Sequence, residues 1–189
     1  MKIYESHSGM YEYKHLPEFA EYILNHHLKT FVRDQLQLSQ QLNVPLLKHL
    51  RHLTDEQILK FTEASSREYF SYLASNRGKE QIRTALEKWY HDQLQIVGKF
   101  EIKAEDITTI TYVRATVLKK WARRFGKTAD HIYELSDEID NFLFGAVTSA
   151  TNTYIDILKD NIEEKNHTLE KHEYQLLQAQ AIAQLGSFE

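Results

Sequence analysis

The chain of 189 residues contains no cysteine, only two prolines and six glycines. Without cysteine there are no disulfides, no thiolate nucleophile and no cysteine-containing metal site, which is compatible with a reducing compartment. No apolar run approaches the about 18 residues of a membrane span, and Met1-Lys2-Ile3-Tyr4-Glu5 has no apolar signal core. A basic surplus is missing too: the formal charge is −4, so there is no electrostatic footprint for nucleic acid. No glycine-rich phosphate loop or nucleophile elbow occurs, since Gly98 and Gly126 stand alone. These absences point to a soluble, cytoplasmic, non-catalytic region with no nucleic-acid or membrane partner. What is present is 42% apolar and 12% aromatic residues, enough for a sizeable core.

The last third organises the rest. From Thr128 to Leu185 there is no proline and one interrupting glycine, Gly145, so the stretch reads as one long helix or two nearly continuous ones. Ile155, Ile162, Leu169, Leu176 and Ala183 recur every seven residues, with Leu158, Lys165, His172 and Ala179 on the companion track three residues later. This is a heptad seam, and it predicts a parallel two-stranded coil, hence a homodimer. The polar Lys165 and His172 weaken the seam and can fix its register. From Val147 to Gln184 such a helix extends about 57 Å at ~1.5 Å per residue, more than a domain of this size requires.

Upstream, every predicted element is also a helix. Pro17 suits a first turn, and Leu24, Leu28, Phe31, Leu38 and Leu42 step by four and three with Gln35 in the missing place. That stripe packs either on its own domain or on a symmetry mate. Pro45 interrupts, a short helical turn spans about Leu46 to Leu53, and Thr54 with Gln57 forms a capping box for a helix whose face is Ile58, Leu59, Tyr69, Phe70 and Leu73. Gly78 divides it from a helix carrying Ile82, Ala85, Leu86, Trp89, Ile96 and Val97, which Gly98 ends; Lys99 to Lys103 is a connection. Glu105 and Asp106 open a helix with Ile107, Ile110, Val117, Leu118, Trp121 and Phe125 inward, closed by Gly126, and Thr128 caps the long helix.

The ten histidines invite chemistry. His26 and His27 are adjacent and face different ways, while His49 and His52 share a helical face without the third and fourth ligands zinc usually takes. His91, beside Trp89 and Tyr90, is either an axial haem ligand or a histidine at the core edge. His172-Glu173 has the first two residues of a kinase phosphoacceptor, but Tyr174-Gln175-Leu176-Leu177 lacks the arginine and proline that follow in that family. Lys119, Lys120, Arg123, Arg124 and Lys127 complement the end of their helix and can face Asp130, Glu134 and Glu138. Phe61, Tyr69, Phe70, Trp89, Tyr90, Tyr112 and Trp121 are candidates for an aromatic core or a ligand pocket.

Two resemblances give these patterns a context. Residues Gln180-Ala181-Ile182-Ala183-Gln184-Leu185-Gly186-Ser187-Phe188-Glu189 resemble the entry of a PAS domain in bacterial sensor kinases, where an amphipathic helix ends in Ala-x-x-Gly-Ser/Thr-Phe/Trp-Glu. The resemblance implies a histidine-kinase parent cut at the junction, of which this is the N-terminal input region. The order of helices, with Leu53-Thr54-Asp55-Glu56-Gln57-Ile58, Glu68-Tyr69-Phe70-Ser71-Tyr72-Leu73 and Ser136-Asp137-Glu138-Ile139-Asp140, is similar to bacterial globin-coupled sensors. It departs from them at the axial histidine: before the Ile96-Val97-Gly98 turn the equivalent place holds Leu94, and the segment from Tyr69 to Gly98 is short for the family. The better match is to the non-haem globin-like domains of stressosome co-antagonists, which implies no cofactor.

The expectation is therefore an all-α, globin-like or bundle sensor over residues 1–150, a coiled-coil signalling helix over 151–185 and the start of a PAS domain at 186–189. Its partners would be a second copy and the downstream PAS and kinase domains, with the small-molecule signal unidentified. The rivals are a structural or partner-docking helical module and a haem-binding gas or redox sensor.

Overall fold

The computed structural model describes residues 12–45, 47, 50, 52–88 and 104–186. All the regular structure among them is helical: α1 (Leu16–Tyr22), a π-helical turn (Ile23–His27), α2 (Leu28–Gln41), α3 (Asp55–Ala74), α4 (Gly78–Lys88), α5 (Ala104–Phe125) and α6 (Ala129–Gly186). Two compact units divide the chain, one ending at Asn152 and the other beginning at Thr153. Trp89, Tyr90, His91, Leu94, the Ile96-Val97-Gly98 turn and the Lys99 to Lys103 connection fall outside the described residues, as do His49 and the terminal Ser187-Phe188-Glu189. None of the described helices is long and apolar enough to cross a membrane.

The core of the first unit is one cluster in which α1 and α2 pack on α3 and α5, closed by Leu135, Ile139, Phe142 and Leu143 of α6. Its aromatic centre is edge-on: Phe31 meets Phe70 at 4.9 Å and 88°, and Tyr69 meets Phe142 at 5.9 Å and 65°. Such geometry sets a positive ring edge against a negative face and adds specificity to burial. Leu28 and Phe31 of the first stripe are buried in this core and Leu24 and Leu38 pack against it, so these four serve their own domain, whereas Leu42 at the end of the stripe is exposed.

The π turn explains how. The buried positions are Leu16, Phe19 and Ala20 before it, Ile23 as its first residue, and Leu28, Phe31 and Val32 after it. A regular α-helix would bring position 27 under Ile23; the wider turn brings Leu28 there instead and keeps a single inward face. The displaced His27 ring lies between Tyr22 at 4.5 Å and Trp121 at 5.1 Å, while His26 is exposed.

Helix ends follow local chemistry closely. Thr54 and Gln57 form both bonds of the capping box, at 2.8 and 3.3 Å. Thr128 Oγ1 accepts from the backbone N–H of His131 at 3.2 Å. The stops belong to asparagines: Asn43 and Asn76 adopt φ of 50° and 54°, and in each case two backbone bonds close a Schellman motif. For α2 these are Asn43 to Gln40 and Val44 to Ser39; for α3 they are Asn76 to Leu73 and Arg77 to Tyr72. Gly78, expected as the divider, is instead the first residue of α4, where a Cβ would stand 3.2 Å from the Phe142 ring. Nor does Gly145 interrupt α6, which is helical throughout.

Gly126 is different, because a Cβ there would stand 2.2 Å from Ile132 Cγ1, an atom fixed near its own backbone. Gly126→Ala should therefore destabilise the protein by about 1–3 kcal/mol, as overpacking of a tight turn does. A urea midpoint unchanged from wild type would contradict this.

Candidate functional site

A cavity of about 390 Å³ lies within the first unit, lined by α2, α3, α4, α5, the segment after α2, and Ala146 and Ala150 of α6. Its apolar wall includes Phe31, Leu36, Val44, Ile82, Leu86, Ile107, Ile110 and Val113. Several of these are residues whose helical spacing marked them as inward-facing, so the same periodicity that builds the core also builds the chamber beside it. Its size falls in the range of about 300–1,000 Å³ typical of small-molecule sites. None of the described residues lining it is a histidine, and His91 lies outside the described residues.

Four charged groups punctuate the wall. Lys88 reaches both carboxylate oxygens of Glu68, at 2.6 and 2.7 Å, tying α4 to α3. Asp106 stands in the first turn of α5, two helical turns before Arg114. The Arg114 guanidinium lies over the Tyr69 ring, 4.6 Å from its centroid. No described carboxylate forms an ion pair with Arg114, which is half-buried.

Tyr69 is 5% exposed, and its hydroxyl is buried with no hydrogen-bond partner among the described residues. Burial pushes its pKa up to about 12, with Arg114 pulling it down and Tyr13 adding a smaller upward push. An unpaired buried hydroxyl costs about 1–3 kcal/mol, so Tyr69→Phe should be neutral to stabilising at pH 7. The alkaline limb carries the sign. Above the ordinary value near 10 the unfolded chain loses the phenolic proton while the folded chain keeps it, so wild-type stability falls between about pH 10 and 12. Over those two units the loss attributable to Tyr69 is on the order of a few kcal/mol and should be missing in Tyr69→Phe. Parallel alkaline stability curves for the two proteins would refute the assignment.

A second polar cluster joins the start of α1 to α6. The carboxylate of Glu138 accepts from three successive backbone N–H groups: Lys14 at 2.9 Å, His15 at 3.0 and 3.2 Å, and Leu16 at 2.7 Å. Beside it, Glu134 Oε2 lies 2.6 Å from His15 Nε2 and 3.2 Å from Lys14 Nζ. The His15 and Lys14 hydrogen bonds hold the Glu134 carboxyl below the ordinary carboxylate range. Its contribution is present above that ordinary range and is lost as pH falls through the lowered value.

These acids were expected to face the basic end of α5, and that pairing is not what the fold makes. Lys119 pairs with Asp140 at 2.7 Å, and Lys120 with Asp34 at 2.9 Å, an oxygen that also accepts from Trp121 Nε1 at 2.9 Å. Arg124 lies over the Trp121 ring at 4.7 Å. Of the aromatic candidates, Tyr69, Phe70 and Trp121 are buried, whereas Phe61 and Tyr112 are exposed.

The second unit presents the seam. Ile162, Leu169 and Leu176 are 57%, 65% and 64% exposed, and Ile155, Leu158, Lys165, His172, Ala179 and Ala183 are exposed as well. Tyr174, Leu177 and Ile182 add exposed apolar surface off that line; Tyr174 accepts a hydrogen bond from Gln178 at 3.0 Å, and the heptad does not account for Leu177. No group of three metal-ligating side chains with suitable geometry occurs among the described residues. No known protein family, curated protein or solved structure matches the chain.

Proposed function

We propose that this chain is the signal-input and dimerisation region of a cytoplasmic sensor histidine kinase, with a globin-like or bundle-type helical body. Its terminal helix pairs in parallel with that of a second copy and carries a change of packing to a downstream PAS and kinase module. The observation that carries the reading is the exposed heptad seam from Ile155 to Ala183. A helix with a solvent-facing apolar stripe repeating every seven residues is stabilised by a partner bearing the same repeat, and a second copy supplies one automatically. The similarity of residues 180–189 to a PAS entry supports the identity of the module that follows.

The mechanism is a population shift. A ligand held in the first unit favours one of two helix packings, and it biases output only as far as its affinities for the two differ. Lys165 and His172 keep those packings close in energy, because polar groups on the seam weaken it and so reduce the stabilisation that an all-leucine track would give to a single packing.

Sedimentation equilibrium tests the dimer directly. Wild type should associate, and Ile162→Asp with Leu169→Asp should raise the dissociation constant at least about a hundredfold by placing four carboxylates in one seam. A monomeric wild type, or a variant that associates as well as wild type, would refute the seam assignment.

A further inference from the structure

The structure assigns a class of signal to the cavity: we propose that it binds a small amphipathic monocarboxylate, with the headgroup on Arg114 and an apolar tail along Val44, Leu86, Ile107 and Val113. The inference rests on the sensor reading and makes it more specific. Arg114 is the point of departure. Its guanidinium has one face on the Tyr69 ring, which leaves the in-plane N–H donors unused by that contact. Elsewhere in the first unit Lys14, Lys88, Lys119 and Lys120 all reach a carboxylate, at 2.6 to 3.2 Å. Arg114, half-buried on a largely apolar wall, has none among the described residues. A partly desolvated guanidinium is best compensated by a planar carboxylate, which it grips with two parallel hydrogen bonds.

The charge balance of the wall sets the ligand's valence. Lys88 is already neutralised by both oxygens of Glu68, so Arg114 is the cation of the wall with no described carboxylate on it, and one carboxylate suffices to pair it. Asp106, eight residues before Arg114 on the same helix, is about 12 Å away along the axis at ~1.5 Å per residue. Tyr69 stays neutral and keeps its ring as a platform for Arg114 through the physiological range. The apolar side chains of the wall ask for a hydrocarbon tail, and the chamber of about 390 Å³ has room for one.

The probe is octanoate, compared with octanol and octylammonium, titrated calorimetrically into the 189-residue chain. Octanoate should bind once per chain and at least about tenfold more tightly than octanol, with octylammonium weakest, since hydrogen bonds to a charged partner are worth about that factor or more. Arg114→Gln should bring octanoate down to the level of octanol, and Arg114→Lys should restore part of the difference. Equal affinity for octanoate and octanol, no octanoate binding at millimolar concentration, or an Arg114→Gln variant that keeps the preference would each overturn the proposal. The three-probe comparison on wild type decides the question even if a variant misfolds. Sedimentation of the same samples reads self-association separately, so failure of the cavity assignment and failure of the dimer reading give different results.

Discussion

Glu138→Ala should lower stability by about 3 kcal/mol, an effect out of proportion to a half-exposed surface carboxylate. The first turn of a helix has backbone N–H groups with no partner inside the helix, and a nearby side chain normally supplies one acceptor. In α1 the N-cap residue is His15, whose side chain makes no capping bond. Pro17 has no N–H to satisfy, and Glu138 takes those of Lys14, His15 and Leu16 together. A carboxylate from more than 120 residues away is thus the cap of the first helix, and its charge also complements the helix dipole. Removing it leaves three backbone donors without that acceptor where the start of α1 meets α6. Chemical denaturation should show the loss, with a melting temperature lower by roughly 10 °C. Glu138→Gln should recover a minor part, because one neutral oxygen accepts fewer and weaker bonds than a carboxylate. Wild-type stability in the alanine variant would mean that water caps α1 equally well.

Replacing Lys165 and His172 together by leucine should have the opposite sign and a larger effect, on association rather than folding. Both side chains are exposed on the companion track between apolar layers. In a parallel pair each substitution acts twice, and burying a leucine contributes about 1.5–3 kcal/mol relative to leaving it exposed. Even after generous discounts the dissociation constant should fall at least about a hundredfold. On the proposed relay, the same change should also remove the near-degeneracy of the two packings, so that output in the full-length protein no longer responds to stimulus. A tighter dimer with an intact response would separate the seam from the relay. An unchanged dissociation constant would mean that the two residues do not lie at the interface.

How much of this was legible in the sequence varies with the range of the interaction. The Thr54 and Gln57 box, the Thr128 cap and the inward faces of α3 and α5 depend on residues within a few positions of one another, and their spacing states them. The length of α6 was legible as well, because no proline and, before its last residue Gly186, only one glycine occur along it. The phase of the first helix was not: alternate steps of four and three fit Leu24 to Leu42 equally well without the π turn, and Phe19, Ala20, Ile23 and Val32 were missed as core residues. The asparagine stops were missed because a search for glycine points to Gly78 instead of Asn76. Glu138 and the isolation of Arg114 depend on contacts between distant segments, about which helical spacing says nothing.

The π turn between Tyr22 and Leu28 has a consequence for anyone tracing kinship in this chain. One added residue rotates everything after it by about 100° relative to everything before it, given ~3.6 residues per turn. The two halves of the first rod therefore keep separate calendars: an ungapped alignment that matches Phe19 and Ile23 to the interior of a cousin without the insertion would turn Phe31 and Val32 outward. A gap of one, placed inside Ile23–His27, is what would bring both halves into step.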